Sequence, residues 1–324
     1  MSSVAVMLGA LLAALLTLGT PARSAEPDWP DAITIATGSP GGTYFAYGEG
    51  LAKILTGVLG IRVATRPTEG PSENIRLIED GQAQIGFVTM GVAQQGWNGM
   101  GDWTQGKQYR AMRALFPMYD TPFHFIVMQD KGARSTAELA GKRLGVGPQG
   151  GTSATYTPEL LATLKLDAPL SYGSWADLTI QLGEGKLDGL VVAAGVPFPA
   201  VADLEAKNKV RYVPLTPDQI LLLRLAIPEL NASLIPAGTY PSLMYGYETV
   251  GLYNFAVARL DLPASLAYEI VKGVFDHHEE MLEVHPAAAS TVPKNFVHNT
   301  FLPYHDGAIR YYGNALAPGV VVGD

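Results

Sequence analysis

Gly38-Ser39-Pro40-Gly41-Gly42-Thr43 and Gly147-Pro148-Gln149-Gly150-Gly151-Thr152 are one pattern written twice in the same chain. Each copy stands between a short apolar run that reads as a strand (residues 32–37, residues 143–147) and a stretch with helical spacing. After the first copy, residues 43–59 place Phe45, Ala52, Leu55 and Leu59 on one stripe, which predicts an amphipathic helix. A strand over 61–65, a helix over 71–80 opened by Pro71 and closed by Gly81, and a strand over 83–90 follow. After the second copy come a helix ending near Leu166, a helix over 175–182 and a strand over 187–194. The echo continues downstream, where Gly81, Ala83, Phe87-Val88 and Gly91-Val92 align with Gly185, Leu187, Val191-Val192 and Gly195-Val196. Strands alternating with helices give parallel sheets covered by helices, so the expected fold is α/β with two lobes of similar plan, each a mostly parallel sheet flanked by helices.

A chain of 324 residues is longer than one hydrophobic core usually serves, which also favours two lobes. Two apolar segments, 123–128 and 249–257, are placed to carry the chain across, forming a two-strand hinge. The expected division is 1–25 a leader, 26–122 the first part of lobe 1, 123–250 lobe 2, and 251–324 the rest of lobe 1 with the C-terminal helices. Residues 4–18 are an unbroken run of apolar and small residues, and small residues lead to Ala25, which reads as a secretory signal although no basic residue precedes the run. Hence the expected location is the periplasm. Acidic residues outnumber basic ones, 30 to 22, without a basic block, so nucleic acid is not an expected partner. Cysteine is absent, which excludes disulfides, thiolate nucleophiles and cysteine-ligated metals.

In open α/β sheets, ligands settle beyond the carboxyl ends of the strands, where helix N-termini present unpaired N–H groups. The two turns lie at such ends, which makes Ser39, Gly41, Gly42, Thr43 and Tyr44 in the first and Gly150, Gly151, Thr152 and Ser153 in the second candidate ligand-binding residues. Thr43 and Thr152 are expected to grip one solute from opposite sides. Pro158 predicts that the helix after the second turn begins only at Thr157-Pro158, leaving 152–156 irregular. A second loop, Thr68-Glu69-Gly70-Pro71-Ser72-Glu73-Asn74, adds Thr68, Ser72 and Asn74. A third, Thr89-Met90-Gly91, adds Thr89 and Met90, and Ala194 and Gly195 form its counterpart, with Phe198 nearby as a wall or a core residue. Arg66 reads as a solvated charge at a strand end.

Motifs for catalysis fail one by one. Gly101 to Lys107 has the spacing of a phosphate loop, but Gln108 replaces the hydroxyl that magnesium needs. Gly145-Val146-Gly147-Pro148-Gln149-Gly150 meets the dinucleotide fingerprint, but Pro148 lies inside its turn and no acidic residue ends the next strand. Five of six histidines (His277, His278, His285, His298, His305) lie in the last third without ligand spacing and read as surface residues. No catalytic residue, metal or cofactor is expected.

At the quoted residues the chain resembles the TAXI family of solute-binding proteins, which serve TRAP-type transporters. Ile35 to Tyr44 looks like that family's opening turn and Thr68 to Asn74 like its Ser/Asn loop. Leu139-Ala140-Gly141-Lys142-Arg143, Ile235 to Tyr240 and Gly307 to Tyr312 match in order and spacing. The resemblance implies a two-lobed periplasmic binding protein fold, type II-like. It implies capture of a small acidic solute, such as glutamate or a dicarboxylate, by a monomeric chain that delivers it to a TRAP-type membrane permease. An ABC importer or a sensor as partner, or an enzyme in the same cleft, are the alternative readings.

Overall fold

The computed structural model describes Glu26 and residues 28–315; the leader expected over 1–25 lies outside them. In chain order the elements are β1 (Ala32–Ala36), α1 (Thr43–Leu59), β2 (Arg62–Arg66), α2 (Pro71–Glu79), β3 (Ile85–Thr89), α3 (Met90–Asn98) and β4 (Met112–Met128). There follow β5 (Leu144–Gly145), α4 (Thr152–Thr163), β6 (Leu170–Ser171), α5 (Trp175–Gly183), β7 (Gly189–Ala193), α6 (Pro199–Glu205), β8 (Val210–Tyr212), α7 (Pro217–Ala226) and β9 (Asn231–Ile235). The chain closes with β10 (Tyr247–Arg259), α8 (Ala264–Asp276), α9 (His278–Val284) and α10 (Asp306–Ala315). None of the described helices is long and apolar enough to cross a membrane.

Strand order along the molecule is β2-β1-β3-β10-β4-β7-β5-β6, with β8 on β4 and β9 on β10. In lobe 1, β2, β1 and β3 run parallel and β10 joins β3 antiparallel. In lobe 2, β6, β5 and β7 run parallel and β4 joins β7 antiparallel. Each lobe is therefore three parallel strands completed by one or both of the long crossing strands. β4 pairs with β10 from Met112 to Pro122, then with β7 from Phe123, while β10 pairs with β9 before Gly251 and with β3 after it. Two strands shared by both lobes are the hinge expected from sequence.

One core packs α1, α8 and α10 on the sheet of lobe 1; another lies under α5 and α6 in lobe 2. A third follows β4 and β10 through both lobes. Three expectations need correction. The helix after the second turn starts at Thr152, with Pro158 inside it. Proline there removes one N–H, but burial of Tyr156, Thr157, Leu160 and Leu161 holds the helix regardless. Thr89-Met90-Gly91 is not a loop: β3 passes directly into α3. His285 and His305 are buried instead of lying at the surface.

Candidate functional site

The lobes meet face to face and enclose a cavity of about 60 Å³ between them. Lobe 1 contributes Gly38, Ser39, Gly42, Thr43 and Tyr44 from the first turn, Glu69, Gly70 and Pro71 from the second loop, and Thr89 at the end of β3. Lobe 2 contributes Gly151, Thr152 and Ser153 from the second turn, Ala193, Ala194 and Gly195 after β7, and the rings of Trp175 and Phe198. Those two rings meet edge to face with centroids 5.2 Å apart. Thr121 and Asn254, on the crossing strands, form the floor.

Direct bonds cross the seam around this cavity. The Thr43 hydroxyl donates to the Gly195 carbonyl (2.7 Å), and the Ala200 N–H donates to the Gly41 carbonyl (3.1 Å). Opposite them, the Ser72 N–H (3.2 Å) and hydroxyl (3.3 Å) both reach the Gly150 carbonyl, and the hydroxyls of Thr89 and Thr152 lie 3.1 Å apart. Glycine is what permits such contact. A Cβ at Gly70 would lie 2.8 Å from the Gly150 carbonyl oxygen, and one at Gly91 would lie 2.1 Å from the Tyr156 hydroxyl.

Five helices start at the cavity. Their N-cap residues, Gly42 (α1), Gly70 (α2), Thr89 (α3), Gly151 (α4) and Phe198 (α6), all line it, and none makes a side-chain cap. Away from the cavity two helices are side-chain capped, α5 where the Ser174 hydroxyl accepts from the Asp177 N–H and α7 where Thr216 with Gln219 forms a full capping box, while α8 and α9 are not. In α2 and α6 the first residue is a proline, without an N–H, and the next N–H is spent across the seam, Ser72 on Gly150 and Ala200 on Gly41. It is therefore the first turns of α1, α3 and α4 that leave N–H groups and dipole ends for whatever occupies the cavity, which favours a negative charge there. No lysine, arginine or histidine is among the lining residues, and Glu69, which is exposed, is their single charged side chain.

The floor is a closed network. Asn254 accepts from the Tyr44 hydroxyl and donates to the Tyr119 carbonyl (2.6 Å) and to the Thr121 hydroxyl. Burial pushes the phenols of Tyr44 and Tyr119 well above their ordinary range, so both stay neutral. Behind the lobe 2 wall, His124 Nδ1–H donates to the Pro122 carbonyl (2.9 Å) and Nε2 accepts from the Tyr240 hydroxyl (3.1 Å), which itself accepts from the Phe198 N–H (2.7 Å). Burial lowers the His124 pKa to about 4, keeping the neutral ring that this chain of bonds requires.

Of the candidates from sequence, Ser39, Gly42, Thr43, Tyr44, Thr89, Gly151, Thr152, Ser153, Ala194 and Gly195 line the cavity. Gly41, Ser72 and Gly150 serve the seam instead. Thr68 and Asn74 lie one layer behind: Asn74 donates to the carbonyls of Thr37 and Phe87 (2.8 Å each), and its side-chain oxygen is 2.7 Å from the Thr68 hydroxyl. Met90 is buried in the apolar core. Arg66 is exposed and donates to Gln82. Trp175, Thr121 and Asn254 were not anticipated; the latter two carry no local signal because the strand crossing alone brings them to the cavity. Among the described residues, no group of three or more His, Asp or Glu could hold a metal ion.

Residues 35–315 match the NMT1-like family. Among solved structures, the fold is similar to MatC from Rhodopseudomonas palustris with bound malate: TM-score 0.59, 12% identity, covering 82% of this chain and 92% of that one. It is also similar to the periplasmic binding protein BugD, with TM-score 0.56, 15% identity and coverage of 90% and 95%. A third is Tv2483 bound to L-arginine, with TM-score 0.51, 14% identity and coverage of 81% and 92%. At these identities the likeness is one of fold: two α/β lobes joined by a hinge.

Proposed function

The chain belongs to the NMT1-like family, and from its two-lobed fold and cavity we propose that it is an extracytoplasmic solute-binding protein that closes on a small carboxylate. It works in the periplasm and binds without catalysing. Lobe 1 (26–122 and 251–324) and lobe 2 (123–250) open to admit the solute, and contact with both favours the closed state. The observation that carries the reading is the convergence of helix N-termini without side-chain caps on one small cavity, with the first turns of α1, α3 and α4 facing it. An organic acid or an amino acid supplies the anion those termini suit. The malate in MatC and the arginine in Tv2483 are two carboxylates held in related folds, which supports the class but not the compound.

A thermal-shift series with malate, glutamate, arginine and agmatine, the amine that lacks arginine's carboxylate, tests this. One or more carboxylates should stabilise the protein, by about 2.7 kcal/mol at a hundredfold excess over Kd. Stabilisation by agmatine equal to that by arginine would remove the carboxylate from the reading. For the membrane partner, motif order supports a TRAP-type permease, and the fold suits an ABC importer equally. Transport into vesicles holding the candidate permease, driven by an ion gradient in one case and by ATP in the other, separates the two.

A further inference from the structure

A bond between the lobes that involves neither the two turns nor the crossing strands comes from the C-terminal third. His285 follows α9, a helix that packs on α1 in lobe 1: Val284, at its end, lies 2.3 Å from where a Cβ on Gly50 would be. His285 is 4% exposed. Its Nδ1 accepts the Ala287 N–H (3.1 Å), so the ring proton sits on Nε2, and Nε2–H donates to the Pro197 carbonyl of lobe 2 (3.0 Å). Pro197 belongs to the loop whose Ala194, Gly195 and Phe198 wall the cavity. The imidazole is thus fixed at one nitrogen by its own lobe and grips the other lobe with the second. Burial lowers its pKa, in keeping with the neutral ring this geometry needs.

We propose that His285 is a positioning residue, a latch that reaches from the C-terminal third of lobe 1 to hold the 194–198 wall in place and so sets the fraction of molecules that are closed. It acts through the loop and not on the solute. The inference rests on the same cavity as the proposed function, but its test needs no solute, so either can fail alone.

The chain has no cysteine, so cysteines placed at Arg62 in lobe 1 and Lys186 in lobe 2, both exposed, take spin labels without background. Pulsed electron–electron distance measurements on this pair report the closed and open populations. His285→Phe keeps a ring and deletes the donor; it should raise the long-distance population about fivefold, the effect of losing one ordinary hydrogen bond. His285→Gln restores an N–H of similar reach and should return the distribution toward the parent's. Lower melting temperatures in both variants with an unchanged distribution would overturn the latch. Should His285→Phe fail to fold, nitrogen NMR of the unsubstituted protein decides: a slowly exchanging proton on Nε2 supports the latch, and a proton on Nδ1 overturns it.

Discussion

The two glycine-rich turns share their internal hydrogen bond and differ in where the backbone turns left-handed and in what stands beside them. In both, the N–H of the fifth residue donates to the carbonyl of the second, Gly42 to Ser39 (3.0 Å) and Gly151 to Pro148 (2.9 Å), but the left-handed glycine is the fourth residue of the first turn (Gly41, φ +83°) and the first residue of the second (Gly147, φ +82°). Each offers a carbonyl to the opposite lobe, Gly41 to Ala200 and Gly150 to Ser72. The threonines diverge. Thr43 has its one proton committed to a carbonyl, whereas Thr152 shares a bond with another hydroxyl, Thr89, and one of that pair keeps a proton to donate. The first turn is therefore a clasp and the second an adaptable wall, so a solute meets its free hydroxyl donor on the Thr89–Thr152 side.

The largest test of this difference is at the left-handed glycines. Alanine at Gly147 meets both the φ penalty and Trp175, 2.4 Å from its Cβ, while alanine at Gly41 meets nothing nearer than 3.5 Å. Gly147→Ala should lower stability by about 2–5 kcal/mol and Gly41→Ala by only about 1–2 kcal/mol, measured by urea unfolding. Equal losses would show that backbone strain alone governs both turns.

Acid distinguishes the lobes next. The lobe 2 wall rests on His124, whose pKa falls from 6.5 to about 4 on burial. A depressed folded pKa means the unfolded chain takes up the proton first. Stability is full above pH 6.5 and falls as pH drops toward 4, by about 3 kcal/mol for this group. Behind the first turn, Tyr44, Tyr47 and Tyr119 stay neutral throughout that range; the acid-sensitive groups of lobe 1 are His285 and His305, both lowered by burial, and His285 bears on the same lobe 2 wall through Pro197. Hydrogen exchange between pH 7 and 4.5 should therefore show α6 and β7 losing protection before α1 does, and His124→Gln should flatten the pH slope. Loss in α1 first would reverse the assignment.

The smallest effect separates the threonines. Thr43→Val leaves the buried Gly195 carbonyl unpaired and should reduce closure, and with it affinity for whichever carboxylate binds, about tenfold. Thr152→Val leaves a hydroxyl that can turn elsewhere and should cost about threefold. Calorimetric titration beside the spin-label distances measures both, and identical losses in the two variants would erase the distinction between clasp and wall.

Much of this was legible in the sequence where local rules govern. α1 begins and ends where its apolar stripe and Gly60 require, and the duplicated turns mark both halves of the cavity. Local rules failed where contacts distant in sequence decide. α3 hides behind Gly91 and Gly96, which weaken a helix in isolation but let Tyr156 and Trp103 approach it. The sequence shows an apolar crossing segment over 123–128, whereas β4 starts at Met112 and carries Pro117 and Pro122 within it. In the sheet Pro117 faces Phe255 beside a bulge and Pro122 faces Gly251, where pairing passes to the other lobe. Asn254 reaches the cavity floor through that same crossing, and Thr121 lies on it.

The cavity's positive character comes from main-chain termini, and such a field dies away within about one helical turn. Beyond that distance an approaching anion meets a protein with a net charge of −8. Encounter is thus unaided by long-range steering and opposed by the overall field, so added salt, which slows the capture of anions by basic clefts, quickens it here. The molecule trades speed of arrival for a hold made by main-chain N–H groups, which do not titrate, so the pH dependence of that hold comes from the buried histidines behind the wall and from the solute itself.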